Sequence, residues 1–340
     1  MVDIVNTVLC GDVLQQLKTL PADYIDTVIT SPPYYFLRDY GWSGQWGQEK
    51  TYQEYLEHLW SFMDEVHRVL KPTGTVWINL GDTYGDKCLL LIPSRFAIGC
   101  IERGWLLRND LIWGKSNAMP ESATDRFSRK YEHFFLFAKQ DGYFFDLDGI
   151  REQHTTPIRN NDIAEKRKRA KEQGQQYAAP SGLCAFNALG KNPGDVSDFW
   201  DIPTQPSSEK HYATFGTKLI DKPIVAGCPE YICNKCGTIR KKIVSIGGFI
   251  PTGGSRTKDT PGISDEQKEN GTGYFFRKFE GYSDCNCGFG FHPGIVLDPF
   301  CGTGTTIARS KELGRHYLGI EGNQDYIDIA NKRLRQEMLF

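Results

Sequence analysis

The chain has 340 residues, a formal net charge of −2 and 39% hydrophobic residues. This length accommodates one large α/β core plus a smaller module. The net charge near zero does not indicate a nucleic-acid binder, although a local basic face could still bind nucleic acid. Asp3 interrupts the short apolar start and no apolar run is long enough to span a bilayer, which predicts a soluble, cytoplasmic protein without a membrane partner. In a reducing compartment the ten cysteines are expected to be thiols or metal ligands.

The first 140 residues alternate between predicted strands and helices. The clearest helix covers residues 51–70, where Thr51 and Glu54 form a capping-box pattern and the apolar residues fall on one face. A second helix is predicted at 93–103. Short apolar runs predict strands at 25–30, 75–80, 105–113 and 131–139.

The pattern decays between residues 141 and 208 and returns weakly at 215–225. A cysteine-bearing segment with a Gly- and charge-rich interior follows, from Cys228 to Cys287. The end of the chain predicts a strand, a loop, a helix, a strand and a last helix, at 295–297, 298–304, 305–313, 316–320 and 324–335.

A glycine-containing loop lies between the strand and the helix near the C-terminus. Gly302 and Gly304 let the backbone approach a ligand at the helix N-terminus, and Glu321 at the end of the next strand can accept ribose hydroxyls. Ile307 replaces the third glycine of a dinucleotide fingerprint, and the acidic Asp298 would repel a pyrophosphate. The acid suits a ligand with a cationic amino group, such as the methionine part of S-adenosylmethionine. The alternative is a tight turn without a ligand.

The first apolar strand ends in a proline-rich element, Ser31-Pro32-Pro33-Tyr34. Prolines remove N–H donors, so the Ser31 hydroxyl and the nearby carbonyls remain as acceptors. An exocyclic amine of cytosine or adenine is a poor nucleophile, because its lone pair is delocalised into the ring. Acceptors aimed at its N–H groups would stabilise the positive charge that develops during attack. Tyr34 could stack on a base taken out of the duplex, whereas the alternative is a proline turn packed by tyrosines.

Together, these two motifs resemble the DNA amino-methyltransferases that act on cytosine N4 or adenine N6. The catalytic motif comes first and the cofactor motif last, which is similar to the permuted β class of that family. Further segments resemble it in the same order; they are Leu70–Gly74, Asn79–Asp82, Arg108–Lys115, Pro120–Ser122, Asp125–Arg126, Tyr131–Phe134 and His211–Phe215 with Leu219–Ile220. The resemblance covers roughly residues 4–140 and 209–335.

The resemblance implies a Rossmann-like, seven-stranded, mostly parallel sheet with helices on both faces. It assigns a catalytic half (1–140), a cofactor-side helix motif (209–227) and a cofactor-binding half (293–340). The intervening parts are predicted to be an inserted target-recognition region (141–208) and, from its cysteine pairs, a cysteine-rich zinc-knuckle module (228–292). By carry-over, Ser31, Pro32, Pro33 and Tyr34 form the catalytic element. The implied S-adenosylmethionine site is Thr214, Phe215, Asp298, Phe300, Gly302, Gly304 and Glu321.

The resemblance also bears on the target base. Ser31 at the first position is similar to cytosine-N4 members, whereas adenine-N6 members more often carry Asp there. An RNA or protein amine would be an alternative substrate, because proteins and RNA are also methylated on this fold. A non-catalytic DNA-binding protein is disfavoured, since a pure binder has no need for a cofactor loop.

The cysteine segment contains two close pairs, each followed by glycine. Cys233 and Cys236 form one pair, and Cys285 and Cys287 form the other. Two such knuckles predict a tetrahedral structural zinc site, with Cys228 as a possible substitute ligand. Zinc is further favoured because little else in the Gly-rich interior, residues 247–273, would hold this insert together. The alternative is four free thiols in a loop.

A basic run lies in the predicted target-recognition region, at Lys166, Arg167, Lys168 and Arg169. These side chains fit phosphate contacts with double-stranded DNA, although a solvated helix face would have the same composition. A separately acting cognate restriction endonuclease is a possible partner. Both a monomer and a dimer are compatible with these motifs.

Overall fold

A computed structural model describes residues 4–38, 44–151, 198–204, 215–251 and 273–336. The predicted DNA contacts at Lys166–Arg169 and the predicted cofactor residue Thr214 lie outside the described residues. The chain divides into two compact units. The first comprises Met1–Asp146, Val196–Arg240 and Cys285–Phe340, and the second comprises Leu147–Asp195 and Lys241–Asp284.

The first unit is built on one eight-stranded sheet of order β1-β14-β13-β2-β3-β7-β6-β8. All of its strands run in the same direction except β7, which is antiparallel to both neighbours. The strands are β1 (Thr7–Cys10), β2 (Ile25–Thr30), β3 (Leu70–Leu80), β6 (Leu106–Gly114), β7 (Tyr131–Ala138), β8 (Phe199–Asp201), β13 (Ile295–Asp298) and β14 (His316–Glu321).

The expectation of seven strands was wrong by one. The additional strand, β8, pairs in parallel with β6 and places Phe199 opposite Ile112. Its three residues are too short a run to produce a recognisable apolar pattern. The mostly parallel α/β architecture was predicted correctly, and β2 is buried along its whole length, as is typical of a strand covered on both faces.

Helices cover both faces of the sheet. Val76 and Ile78 of β3 pack in one core cluster with the helices Tyr52–Val69 and Ile92–Glu102. Trp77 between them packs on the opposite face with the helix Thr217–Gly227. The capping box at Thr51 is present, with Glu54 N–H donating to Thr51 Oγ1 at 3.2 Å. The helices are α1 (Val13–Thr19), α2 (Tyr52–Val69), α3 (Ile92–Glu102), α4 (Thr217–Gly227), α5 (Thr305–Glu312) and α6 (Gln324–Arg335).

Two short pairs complete the described part of the first unit. They are β4 (Tyr84–Gly85) with β5 (Cys88–Leu89), and β9 (Ile232–Cys233) with β12 (Phe291–His292). None of the helices in the described ranges is long and apolar enough to cross a membrane.

The second unit contains a two-stranded antiparallel sheet, β10 (Lys242–Pro251) with β11 (Gly273–Tyr282). Backbone pairing therefore orders the chain at both ends of the Gly-rich interior, so the expectation that little besides a metal would hold this insert together was wrong there. Register shifts at Ile243/Val244 and Ile246/Phe249 break the two-residue alternation by which strands are recognised in a sequence.

Candidate active site

A cavity of about 410 Å³ opens where neighbouring strands of the large sheet end. The carboxyl ends of β1, β14, β13 and β2 lie at one edge because these strands are parallel neighbours. The last residue of a strand or the residue just after it lines the cavity in each case; these residues are Gly11, Glu321, Asp298 and Ser31. Crevices at this edge of α/β sheets are the usual ligand sites.

Two acids form one side of the cavity. Asp298 is 2% exposed and accepts hydrogen bonds from Thr30 Oγ1 at 2.7 Å and from the Phe300 N–H at 3.2 Å. Burial raises the pKa of Asp298 to about 6. Glu321 accepts from the Gly302 N–H and the Asn323 N–H, each at 2.9 Å, and burial raises its pKa as well.

The two glycines of the loop serve different purposes. Gly302 lines the cavity with φ +51, and a Cβ added there would meet nothing within 4 Å. Gly304, with φ +83, starts α5, and a Cβ there would approach Ala330 Cβ at 2.9 Å. Gly304 therefore permits close packing of α5 on α6 and lies outside the cavity lining. Phe215, Phe300 and the acids Asp298 and Glu321 do line the cavity.

The Ser31-Pro32-Pro33-Tyr34 element lines the same cavity, next to the Thr30 side chain that donates to Asp298. Tyr55 of α2 donates its hydroxyl to the Pro33 carbonyl at 2.7 Å. Among the described residues, no donor contacts the Pro32 carbonyl. The Pro33 carbonyl is therefore fixed by its contact with α2, whereas the Pro32 carbonyl remains available to a ligand.

The Tyr34 hydroxyl lies at the centre of a hydrogen-bond network. Ser31 Oγ donates to it at 3.2 Å and Asn79 Nδ2 donates to it at 2.7 Å, while the phenol donates to Glu132 Oε2 at 2.8 Å. Burial, followed by the charge of Glu132, raises the pKa of Tyr34 well above its ordinary value, so the phenol stays neutral. Lys115 Nζ forms an ion pair with Glu132 Oε1.

The Tyr34 ring is packed against the end of β3. A Cβ added to Gly81 would come within 2.6 Å of Tyr34 Cε2, so only glycine leaves room for the ring. One edge of the ring is thereby held by the protein. If Tyr34 stacks on a flipped base as predicted, the base contacts the part of the ring that faces the cavity.

Sequence reasoning quoted Asn79, Lys115 and Glu132 within motifs but gave them no role. All three line the cavity. Glu132 reaches it because β7 runs against the other strands, so the beginning of β7 lies beside the end of β3. Trp46 was missed entirely; it lines the cavity and packs on Phe300 with ring centroids 5.3 Å apart.

The four predicted metal ligands come together in the first unit. The sulfurs of Cys233, Cys236, Cys285 and Cys287 all lie within 4.8 Å of one another. Tetrahedral Zn–S bonds of about 2.3 Å would separate sulfurs by roughly 3.8 Å, which falls below the 4.8 Å limit of this cluster. Cys228, the substitute ligand considered from the sequence, is buried elsewhere and is not part of this cluster.

Comparison with known proteins gives a consistent family. The N6/N4 methylase family model, described as DNA methylase, matches residues 25–236 and 291–332. The type II methyltransferase M.Cfr9I of Citrobacter freundii is 29% identical over 362 residues, covering 97% of this chain and 88% of the relative. M.SmaI of Serratia marcescens is 27% identical over 356 residues, covering 96% of this chain and 90% of the relative.

Solved structures share the fold. The PvuII DNA methyltransferase, which is cytosine-N4-specific, matches with a TM-score of 0.57 and 15% identity, covering 98% of this chain and 87% of that one. A putative DNA modification methylase from Thermus thermophilus, complexed with S-adenosyl-L-methionine, matches with a TM-score of 0.52 and 20% identity, covering 98% of each chain.

Proposed function

The chain belongs to the N6/N4 DNA methylase family and is a β-class DNA amino-methyltransferase, and we propose that its target is the exocyclic N4 of cytosine in duplex DNA. The observation that carries this proposal is the pair of acceptors, Ser31 Oγ and the Pro32 carbonyl, in the cavity that the two acids also line. An uncharged serine at this position supports cytosine over adenine, through the resemblance to cytosine-N4 members.

The cavity has the size and the hydrogen-bond acceptors that S-adenosylmethionine needs. Its volume of about 410 Å³ lies within the usual range of ligand pockets. Asp298 would bind the cationic methionine amino group. Each Glu321 oxygen accepts one backbone N–H and keeps a lone pair for a ribose hydroxyl. S-adenosylmethionine, once bound, supplies the electrophilic methyl group.

The catalytic element would bind the target base after it leaves the duplex. Ser31 donates its hydrogen to Tyr34, so the lone pairs of Ser31 Oγ are available to the target amine. The Pro32 carbonyl supplies a second acceptor. Acceptors fixed in place before the reaction stabilise the positive charge that develops on nitrogen, and this is the electrostatic contribution expected of the site. Tyr34 would contact the face of the base.

Identification of the methylated nucleoside tests the proposal. The protein is incubated with labelled S-adenosylmethionine and mixed-sequence duplex DNA, which is then digested to nucleosides and analysed by mass. N4-methylcytosine is expected. N6-methyladenine would overturn the choice of base, and labelled RNA or protein without labelled DNA, in a parallel incubation with those substrates, would overturn the choice of substrate.

The cysteine cluster is proposed to hold one structural zinc ion. A closed set of four thiolates leaves no position for a substrate, which fits a structural role. We expect about one zinc per chain by elemental analysis, and loss of the metal in Cys236→Ser and Cys285→Ser. Cys88→Ser is the matched control, because Cys88 is an exposed thiol outside the cluster. Metal-free wild-type protein that keeps its stability would contradict the assignment.

The remaining partners are proposed on the same basis. The basic run Lys166–Arg169 would contact DNA phosphates, and charge-neutral variants of it are expected to weaken DNA binding and to reduce its salt dependence. The named relatives are type II methyltransferases, so a cognate endonuclease that acts separately is a proposed partner.

A further inference from the structure

A chain of polar groups continues from the catalytic serine into the protein. It runs from Ser31 Oγ to Tyr34 Oη at 3.2 Å and from there to Glu132 Oε2 at 2.8 Å. Asn79 Nδ2 lies 2.7 Å from both Tyr34 Oη and Glu132 Oε2. The far end is closed by Lys115, which pairs with the other Glu132 oxygen and lies 4.5 Å from the centre of the Trp113 ring.

The hydrogens in this chain have only one consistent arrangement. The two amide hydrogens of Asn79 point to Tyr34 and to Glu132, because a carboxylate only accepts. Glu132 Oε2 lies 2.8 Å from Tyr34 Oη and only accepts, so the phenol hydrogen goes to Glu132. Ser31 must then donate to Tyr34. Every O–H in the chain therefore points from the cavity toward Glu132.

The direction of these bonds bears on a requirement of the reaction. An amine that gains a methyl group must lose a proton, and the acceptors that contact the amine are neutral groups that cannot keep it. We propose that Glu132 is the final acceptor of this proton, which reaches it through Ser31 and Tyr34. The inference rests on the proposed function, but it applies to a cytosine or an adenine amine alike, since both lose one N–H proton.

The target nitrogen would form a bond to the methyl carbon as the bond between that carbon and the cofactor sulfur breaks, with its electron pair left on sulfur. The electron pair of one N–H bond returns to nitrogen as its proton bonds to Ser31 Oγ. The former hydroxyl proton of Ser31 passes to Tyr34 Oη, and the former phenol proton passes to Glu132 Oε2. Ser31 and Tyr34 end as neutral as they began, while Glu132 becomes a neutral carboxylic acid beside the Lys115 ammonium.

The neutrality of Tyr34 supports a relay of this kind. Its pKa is raised well above the ordinary value, first by burial and next by the charge of Glu132. A phenolate is therefore disfavoured, so Tyr34 passes a proton on only as it receives one from Ser31. Because the hydroxyl hydrogen of Ser31 can pass to Tyr34, Ser31 Oγ becomes a better proton acceptor as positive charge develops on the amine.

Two variants interrupt the chain at different places. Glu132→Gln keeps the shape of the side chain but cannot take up the proton, and Tyr34→Phe removes the middle hydroxyl. Each is expected to lower the single-turnover rate by about 100-fold, which is typical of a lost general base. The double variant should be no slower than either single variant, because the residues act as one unit. Glu132→Asp, which retains a carboxylate, should recover part of the rate.

Several readouts separate a relay from a structural contact. Dissociation constants for S-adenosylmethionine and DNA should stay within about twofold of wild type in Glu132→Gln, and the solvent deuterium isotope effect on single turnover should change. In protein with ¹³Cζ-labelled tyrosine and no cofactor, Glu132→Gln should shift the Tyr34 signal, identified by its loss in Tyr34→Phe. Tyr35→Phe is the matched control; its ring packs against Phe36 and Tyr55 outside this chain, and it should keep wild-type rates.

The outcomes distinguish the two hypotheses. An active wild type whose Glu132→Gln variant works within threefold of its rate, or single-variant losses that multiply in the double variant, would overturn the relay and leave the methyltransferase assignment intact. A folded wild type that binds S-adenosylmethionine but methylates no DNA amine would overturn the proposed function, and the relay with it.

Discussion

The two walls of the cavity are built in different ways. On the cofactor wall, Glu321 takes its hydrogen bonds from backbone groups of Gly302 and Asn323, 19 and 2 residues away along the chain. On the catalytic wall, Tyr34 is held by Asn79 and Glu132, 45 and 98 residues away. The contacts of Glu321 therefore form within one strand–loop–helix–strand unit, although Asp298 on the same wall also accepts from Thr30 of β2. The catalytic wall exists only once β2, β3 and β7 are assembled.

Ser31→Ala should produce the largest effect and should separate the two walls. It removes an acceptor that strengthens in the transition state, so we expect kcat to fall by about 100- to 1,000-fold while the dissociation constant of S-adenosylmethionine changes less than twofold. Single-turnover kinetics and calorimetry measure the two quantities. Ser61→Ala, at an exposed position of α2, is the control. Normal turnover in Ser31→Ala would remove the catalytic assignment.

Asp298→Asn should act on the other wall alone. Loss of the negative charge is expected to weaken S-adenosylmethionine binding by about 10- to 100-fold at pH 8, because the ligand ammonium loses a charge-assisted partner. Burial raises the pKa of Asp298 to about 6, so wild-type Asp298 is itself largely protonated below that pH. The difference in S-adenosylmethionine affinity between wild type and Asp298→Asn should therefore decrease as pH falls from 8 to 5. Equal affinities at pH 8 would contradict the assignment of Asp298.

The difference between the walls also explains what the sequence could reveal. Asp298, Gly302 and Glu321 are recognisable because a strand, a turn and a helix follow one another in a short stretch. The role of Glu132 depends on β7 running against its neighbours, which brings its first residues beside the end of β3. No local pattern encodes that pairing.

Two strands that the sequence did not predict also have definite physical reasons for being unrecognisable. Strand β8 has three residues, and β10 carries two register shifts that disrupt the apolar alternation. The order of the elements, the mostly parallel sheet and the approach of the four cysteines were predictable, because apolar periodicity and paired knuckles are local signals.

Alanine substitutions at the two loop glycines should differ in their effect on stability, because only Gly304 packs closely against a neighbouring helix. Gly304→Ala adds a Cβ near Ala330 at a positive φ, and we expect it to destabilise the protein by about 2–4 kcal/mol. Gly302→Ala meets open space, so only the left-handed backbone costs energy, about 1 kcal/mol. Urea denaturation measures both values. A larger loss of stability in Gly302→Ala than in Gly304→Ala would contradict the assignment of Gly304 to helix packing.

The smallest effect is a gain in stability at the cofactor wall. Asp298 is 2% exposed, and its pKa rises from 3.8 to about 6, so between these values the folded protein binds more protons than the unfolded chain. The stability that this group contributes is complete below about pH 4 and is lost as pH rises through about 6. At pH 8 the buried carboxylate is ionised and costs free energy in the absence of cofactor.

Asp298→Asn replaces that charge with a neutral side chain of the same shape. We therefore expect the cofactor-free variant to be more stable than wild type at pH 8 by about 1–2 kcal/mol. The full effect of the pKa shift is not recovered, because the amide accepts weaker hydrogen bonds from Thr30 and Phe300. Urea denaturation between pH 5 and 8 should show the gain diminishing toward low pH. Asp86→Asn, at an exposed position, should show no such trend. A variant that is both tighter in cofactor binding and less stable at pH 8 would contradict the view that this acid trades stability for ligand affinity.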